Sequence, residues 1–128
     1  MKRIRDLSTG AVTIESTDNL RQASRELAGD NIGSLIVSDS RGCVGILTER
    51  DLTRSIADEV DLDTTTVEEY MTESPIEVDR NAAIGDAIAK MNEYEVRHLV
   101  VTEDGNNVVG VVSMRDIFGL LGTGWPEL

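Results

Sequence analysis

The sequence predicts an α+β protein built from two copies of one β-α-β-β-α unit. Three observations carry this. Gly45-Ile46-Leu47-Thr48-Glu49-Arg50-Asp51 returns as Gly110-Val111-Val112-Ser113-Met114-Arg115-Asp116, each an apolar strand running into a hydroxyl residue with a carboxylate three positions on. Leu35-Ile36-Val37 returns as Leu99-Val100-Val101, and Val12-Thr13-Ile14 as Ile76-Glu77-Val78. The helical stripe Leu20, Ala23, Leu27 is matched by Ile84, Ala87, Met91. The period is about 64 residues with a one-residue slip in a turn, too long for a solenoid unit and present in only two copies. One unit of roughly 50 residues buries too little surface to be stable alone. The two small sheets are therefore expected to share an apolar face about a pseudo-twofold axis.

Each element has a local reason. Residues 2–8 suit a short helical turn, and Val12-Thr13-Ile14 alternates as a brief strand. Ser16-Thr17-Asp18 offers N-cap chemistry for the first helix, and Gly29 is expected to end it in the left-handed region. Leu35-Ile36-Val37 is a second strand, Asp39-Ser40-Arg41-Gly42 a turn, and Val44 to Leu47 a third strand. The second helix runs from Thr48 to about Ala57, with Leu52 and Ile56 expected on its buried side. The acidic stretch 58–66 is a linker: its Asp61-Leu62-Asp63 lacks the glycine and distal glutamate of a calcium loop. Thr66-Val67-Glu68-Glu69 has capping-box spacing and opens another helical turn. The same series then repeats, through the turn Glu103-Asp104-Gly105-Asn106 to a last helix over Ser113–Leu121. The first repeat is thus 3–57, the linker 58–66, the second repeat 67–121 and the tail 122–128. Trp125, the only tryptophan, is expected to cover a core edge or a dimer contact.

Composition narrows the function. Among the 128 residues, 24 acids against 12 bases give a net charge of −12, which repels nucleic acid and anionic membranes. Lysine supplies only Lys2 and Lys90, and such a surface suits either an ordinary acidic protein or a salt-rich cytoplasm. Aromatics are 3%, so the core is aliphatic. Cys43 is the only cysteine, so no intrachain disulfide forms. There is no apolar run of membrane length and no signal peptide, so a reducing, cytoplasmic setting is expected. With one histidine, no metal cluster, no Gly-rich phosphate loop and no nucleophile beside a base, no catalytic residue is assigned and an enzyme is not expected.

The order β-α-β-β-α, used twice with Gly-x-x-Thr/Ser-x-x-Asp after the third strand, resembles a pair of CBS domains (a Bateman module). Val67-Glu68-Glu69-Tyr70-Met71-Thr72 is similar to the leader that commonly precedes such a domain. So is Ile4-Arg5-Asp6-Leu7-Ser8-Thr9, with Ser8 where Met is usual. Val96-Arg97-His98-Leu99-Val100-Val101 resembles the family's second strand, and the likeness runs from about residue 3 to 121. It implies a stand-alone regulatory module that binds AMP, ADP, ATP or S-adenosylmethionine in clefts between the repeats. It further implies pairing into a homodimer and signalling to a partner protein. The alternative is a scaffold that keeps the fold and interacts or dimerises without ligand.

The hydroxyl–carboxylate pairs admit two readings. As a cap, Thr or Ser with Asp three residues on satisfies unpaired N–H groups at a helix start, worth about 1 kcal/mol. As a site, the carboxylate accepts from ribose hydroxyls and the hydroxyl beside free N–H groups suits phosphate. The resemblance implies ribose and phosphate roles for Thr48, Asp51, Ser113 and Asp116. It also places Arg97 and His98 at the cleft-facing start of the second strand, where the first repeat has Gly33 and Ser34. An anion entering a protein of this charge needs a local cation, and an arginine fork supplies one. Arg97 as a surface ion pair and His98 as a partly buried, backbone-bonded histidine are the structural alternatives. Arg50 and Arg115 either aid a phosphate or point to solvent. Backbone near Ala11, Val12 and Thr13, and near Pro75, Ile76 and Glu77, is implied to read the adenine edge. The second site is therefore expected to favour a charged nucleotide, and the first to be weak, to take a neutral ligand or to be empty.

Overall fold

A computed structural model describes residues 2–7, 10–105 and 107–121. Ser8, the last residue of the turn 103–106, and the tail with Trp125 lie outside the described residues. The chain forms two compact units, Val12–Pro75 and Met1–Ala11 with Ile76–Leu128.

In the first unit β1 (Thr13–Glu15) is followed by helix α1 (Leu20–Asp30), β2 (Ser34–Asp39), β3 (Gly42–Thr48), α2 (Glu49–Ala57) and β4 (Thr72–Glu73). The strands lie in the order β1-β2-β3-β4, with β1 parallel to β2 and the other pairings antiparallel. In the second unit the series is β5 (Glu77–Asp79), α3 (Ile84–Tyr94), β6 (His98–Glu103), β7 (Asn107–Ser113) and α4 (Met114–Leu121). Its described strands lie β5-β6-β7, again parallel then antiparallel. Both long hairpins carry a register shift at the same place, between Val37 and Ser38 and between Val101 and Thr102. The duplication thus extends to an irregularity of the backbone. Among the described residues no helix is long and apolar enough to cross a membrane.

Alternation on the strands and the helical stripes build two aliphatic cores. Ile14, Leu20, Ala23, Leu27, Leu35, Val37 and Leu47 fill the first. Val78, Ile84, Ala87, Met91, Leu99, Val101, Val112 and Ile117 fill the second. Each core is completed by a leader from the other repeat. Ile4, in a 3₁₀ turn at Ile4–Asp6, is 0% exposed and belongs to the second core. Its N–H donates to the Ala82 carbonyl (3.0 Å), and that of Arg5 to the Arg80 carbonyl (2.9 Å). Val67, in the 3₁₀ turn Val67–Glu69, is 0% exposed and belongs to the first core. Its N–H donates to the Asp18 carbonyl (2.8 Å), and that of Glu68 to the Ser16 carbonyl (3.0 Å). The compact units therefore cut across the duplicated stretches 3–57 and 67–121 read from the sequence.

Several local expectations change. The α1 cap is Asn19, whose side-chain oxygen accepts from the Gln22 N–H (2.8 Å), while Ser16 is buried beneath the second leader. Gly29 lies within α1, and the left-handed residue after it is Asn31 (φ 53°). Its counterpart after α3 is Glu95 (φ 55°), a side chain that this region disfavours. Ile56 is 64% exposed, and Asp51 and Ser55 take the inward positions of α2 instead. Leu52 does pack, partly buried, against the first core, and beside it α2 buries the Asp51 carboxylate and the small Ser55 hydroxyl. β4 carries no sequence pattern, being two exposed residues paired with Gly45 and Ile46. Gly45 makes that pairing possible: a Cβ there would lie 2.7 Å from both the Thr72 carbonyl oxygen and the Met71 sulfur.

Ile4→Ala is expected to cost about 2–5 kcal/mol of stability, the range for a fully buried aliphatic, although Ile4 lies far in sequence from the core it fills. Gly45→Ala is expected to cost about 1–3 kcal/mol by overpacking against main chain. Glu95→Asn is expected to gain about 0.5–1 kcal/mol by relieving the left-handed turn. Urea denaturation followed by circular dichroism reads all three.

Candidate functional site

In each unit the start of the second strand, the end of the third and the start of the following helix meet at one end of the sheet. Ser34 lies opposite Thr48, and His98 opposite Ser113. The Glu49 N–H donates to the Gly33 carbonyl (3.1 Å), and the Met114 N–H to the Arg97 carbonyl (2.8 Å). This ties the first helical residue to the loop before the strand. Arg97, His98, Ser113 and Asp116 are thereby gathered in the second unit. Gly33, Ser34, Thr48 and Asp51 hold the matching places in the first.

Both carboxylates close their own helix. Asp51 Oδ2 accepts from the Thr48 N–H (2.8 Å), and Thr48 Oγ1 accepts from the Asp51 N–H (3.3 Å). Asp116 Oδ2 accepts from the Ser113 N–H (2.8 Å), and Ser113 Oγ accepts from the Asp116 N–H (3.1 Å). With the bonds to the Gly33 and Arg97 carbonyls, most N–H groups expected to be open for a phosphate are in use. What remains for a ligand is side-chain capacity.

That capacity differs between the copies. The Thr48 hydroxyl also donates to Asp51 Oδ2 (3.1 Å), and Asp51 Oδ1 forms an ion pair with Arg54 (3.3 Å). Asp51 is 5% exposed. Asp116 is half-buried, and among the described residues its Oδ1 takes no hydrogen bond or ion pair. The Ser113 hydroxyl proton is likewise unclaimed among the described residues. The Arg97 guanidinium is exposed and makes no ion pair among them, and His98 is half-buried. Arg50 and Arg115 are both exposed.

Arg54 escapes the motif reading, yet comparing the copies shows it: three residues after Asp51 stands Arg54, and three after Asp116 stands Gly119. The Arg54 Nη2 also donates to the Tyr70 carbonyl (3.2 Å), and its guanidinium lies 5.7 Å from the Tyr70 ring centre. The Tyr70 hydroxyl donates to Asp58 (2.7 Å), a bond that raises the phenol above its ordinary pKa.

The positions implied for the adenine edge lie at the starts of the first strands. Val12, Pro75 and Ile76 are half-buried, and Ala11, Thr13 and Glu77 are exposed. Ala11 and Pro75 stand where the chain passes from one compact unit to the other. The Val12 and Ile76 carbonyls are occupied, accepting from Ile36 (2.9 Å) and Val100 (3.0 Å) in the sheets. The Glu77 carbonyl accepts from Lys90 Nζ (2.6 Å). Among the described residues no group of three or more His, Cys, Asp or Glu is arranged to hold a metal ion.

A family model described as CBS domain matches residues 4–58 and again 67–122. The arabinose 5-phosphate isomerase KdsD of Francisella tularensis is 31% identical over 107 residues, 84% of this chain and 33% of that protein. This chain thus spans well under two thirds of that enzyme. The uncharacterized protein YlbB of Bacillus subtilis is 30% identical over 121 residues, 91% of this chain and 80% of that one. Among solved structures, the CBS domain protein PAE2072 from Pyrobaculum aerophilum, complexed with AMP, is 29% identical with a TM-score of 0.83, covering 95% of this chain and 99% of that one. The CBS domain pair of protein MJ0100, in complex with 5′-methylthioadenosine and S-adenosyl-L-methionine, is 26% identical with a TM-score of 0.85, covering 98% and 99%.

Whatever else they do, the hydroxyls serve as helix caps. Thr48→Ala and Ser113→Ala are each expected to cost about 1 kcal/mol without ligand, read as a lowered urea midpoint.

Proposed function

The chain belongs to the CBS domain family, and we propose that it is a regulatory module that binds an adenosine-containing ligand and passes the binding on to a partner protein. The observation that carries the reading is the uncommitted chemistry at one sheet end of the second unit. There an acceptor (Asp116 Oδ1), a hydroxyl donor (Ser113) and a guanidinium that makes no ion pair among the described residues (Arg97) stand together. A ribose diol suits the acceptor, and a phosphate suits the guanidinium and hydroxyl. Related structures were solved with AMP, and with 5′-methylthioadenosine and S-adenosyl-L-methionine. All three ligands share the adenosine part that Asp116 would hold, and only AMP brings a phosphate.

In this reading Asp116 binds the ribose, Ser113 and Arg97 bind a 5′-phosphate, and His98 lies beside them. Ala11, Val12 and Thr13 in one copy, and the matching Pro75, Ile76 and Glu77 in the other, are the positions whose main chain would read an adenine edge. Thr48 and Asp51 form the weaker site. The module is regulatory, works as a homodimer in the cytoplasm and carries out no chemistry. Signalling requires that the ligand bind two conformations unequally, since equal affinity shifts no population.

Calorimetric titration with AMP, ADP, ATP, S-adenosylmethionine and NAD tests this. AMP is expected to bind below about 1 mM, a free energy near −4 kcal/mol. Asp116→Asn, which keeps a capping oxygen, is expected to weaken both AMP and adenosine at least about tenfold, the scale of a hydrogen bond to a charged group. Arg97→Gln is expected to weaken AMP and leave adenosine unchanged. AMP affinity untouched by both substitutions would exclude the site. A protein partner retained equally with and without nucleotide would favour the ligand-independent scaffold.

A further inference from the structure

We propose that Arg54 sets the strength of the first-copy site by competing with a ribose for Asp51, so that this chain carries two adenosine sites of unequal affinity. The inference rests on the ligand reading above and adds a residue that this reading does not use. Arg54 is a positioning residue: it acts through the carboxylate.

Three features carry the argument. The carboxylate of Asp51 has one oxygen committed to its own helix, so any ligand must use Oδ1, and Arg54 stands 3.3 Å from that atom. Arg54 is also held by Tyr70, through the same nitrogen that faces Asp51. Its Nη2 donates to the Tyr70 carbonyl and its plane lies near the Tyr70 ring, which is itself anchored on Asp58. A side chain tethered in this way loses little further freedom in meeting Asp51, which favours the pair. The second copy lacks every part of the device. Gly119 replaces Arg54 and has open space around it, and the leader residue matching Tyr70 is the aliphatic Leu7. Asp116 Oδ1 is left open among the described residues. The charged groups facing Arg54 are Asp51 from its own helix and, through Tyr70, Asp58 at that helix's end.

The size of the effect follows from exposure. The Arg54 side chain is 60% exposed. A pair of that kind is weak enough for a ligand to displace, so Arg54 attenuates the site by about fivefold and does not close it.

The test is calorimetric titration of the full chain with adenosine, a neutral probe that Arg54 cannot attract through a phosphate. Asp116→Asn isolates the first site. Adding Arg54→Gln is expected to tighten adenosine binding there about fivefold, and Arg54→Lys, which keeps the charge without the fork, by less. Raising sodium chloride from about 0.05 to about 0.5 M is expected to tighten binding when Arg54 is present and to have no such effect in the Gln variant, a response that a structural role would not give. Gly119→Arg in the otherwise unaltered chain is expected to weaken the second site by a few-fold. Adenosine binding that is unchanged within twofold, or weaker, in Arg54→Gln would overturn the role of Arg54 while the ligand reading stands. Absence of adenosine binding in the unaltered chain and in every variant would overturn both.

Discussion

The structure depends on two short leaders that fill cores distant from them in sequence. Ile4 and Val67 are each wholly buried, and each enters its core on a pair of main-chain hydrogen bonds to the loop before a helix. Backbone bonding fixes the position of the leader, and burial of one aliphatic side chain supplies the favourable free energy, on the order of 2 kcal/mol. In both units the leader packs against the loop that joins the first strand to the first helix. Because it arrives from the other repeat, neither duplicated stretch holds a complete core, and contacts of long sequence separation are needed before either unit is whole.

The hydroxyl–carboxylate pair makes a second constraint, imposed on the function. A carboxylate has two oxygens. One is used at the start of α2 and of α4 to accept the N-cap N–H, which leaves one for anything else. In the proposed reading, stability and recognition draw on the same side chain without competing for the same atom. This holds only while the second oxygen is left alone, and the two copies differ at that atom.

Much of this was legible in the sequence because it is local or periodic. The repeat, the strands Ser34–Asp39 and His98–Glu103, and the caps at Thr48 and Thr66 follow from alternation, apolar runs and capping spacing. Other features depend on tertiary placement that spacing does not encode. Ser16-Thr17-Asp18 looks like a cap, yet Asn19 is the cap because the second leader claims the main chain at Ser16 and Asp18. Gly29 looks like a terminator, yet the helix runs one residue on and Asn31 turns it. Ile56 has helical spacing from Leu52, but the inward face of α2 is set by Asp51 and Ser55. β4 is too short to leave a pattern, and its only trace is a glycine in the strand it crosses. At the candidate site the residue types were legible, including the contrast of Arg97 and His98 with Gly33 and Ser34. Which carboxylate oxygen was free was not, because that turns on Arg54 and its tether.

The crossed leaders also bear on how such a chain arises. A polypeptide holding a single β-α-β-β-α unit and its own leader can satisfy the same contacts only by lending the leader to a second copy and receiving one in return. That arrangement is a domain-swapped pair, whose completeness varies with protein concentration. Joining the copies end to end turns the exchange into an intramolecular event at an effective concentration on the order of millimolar, whatever the cellular abundance. It also frees the two halves to diverge, since each leader now has a single, fixed recipient. An arginine in one copy and a glycine in the other at the same helical position is a difference that an exchange between identical chains could not have held.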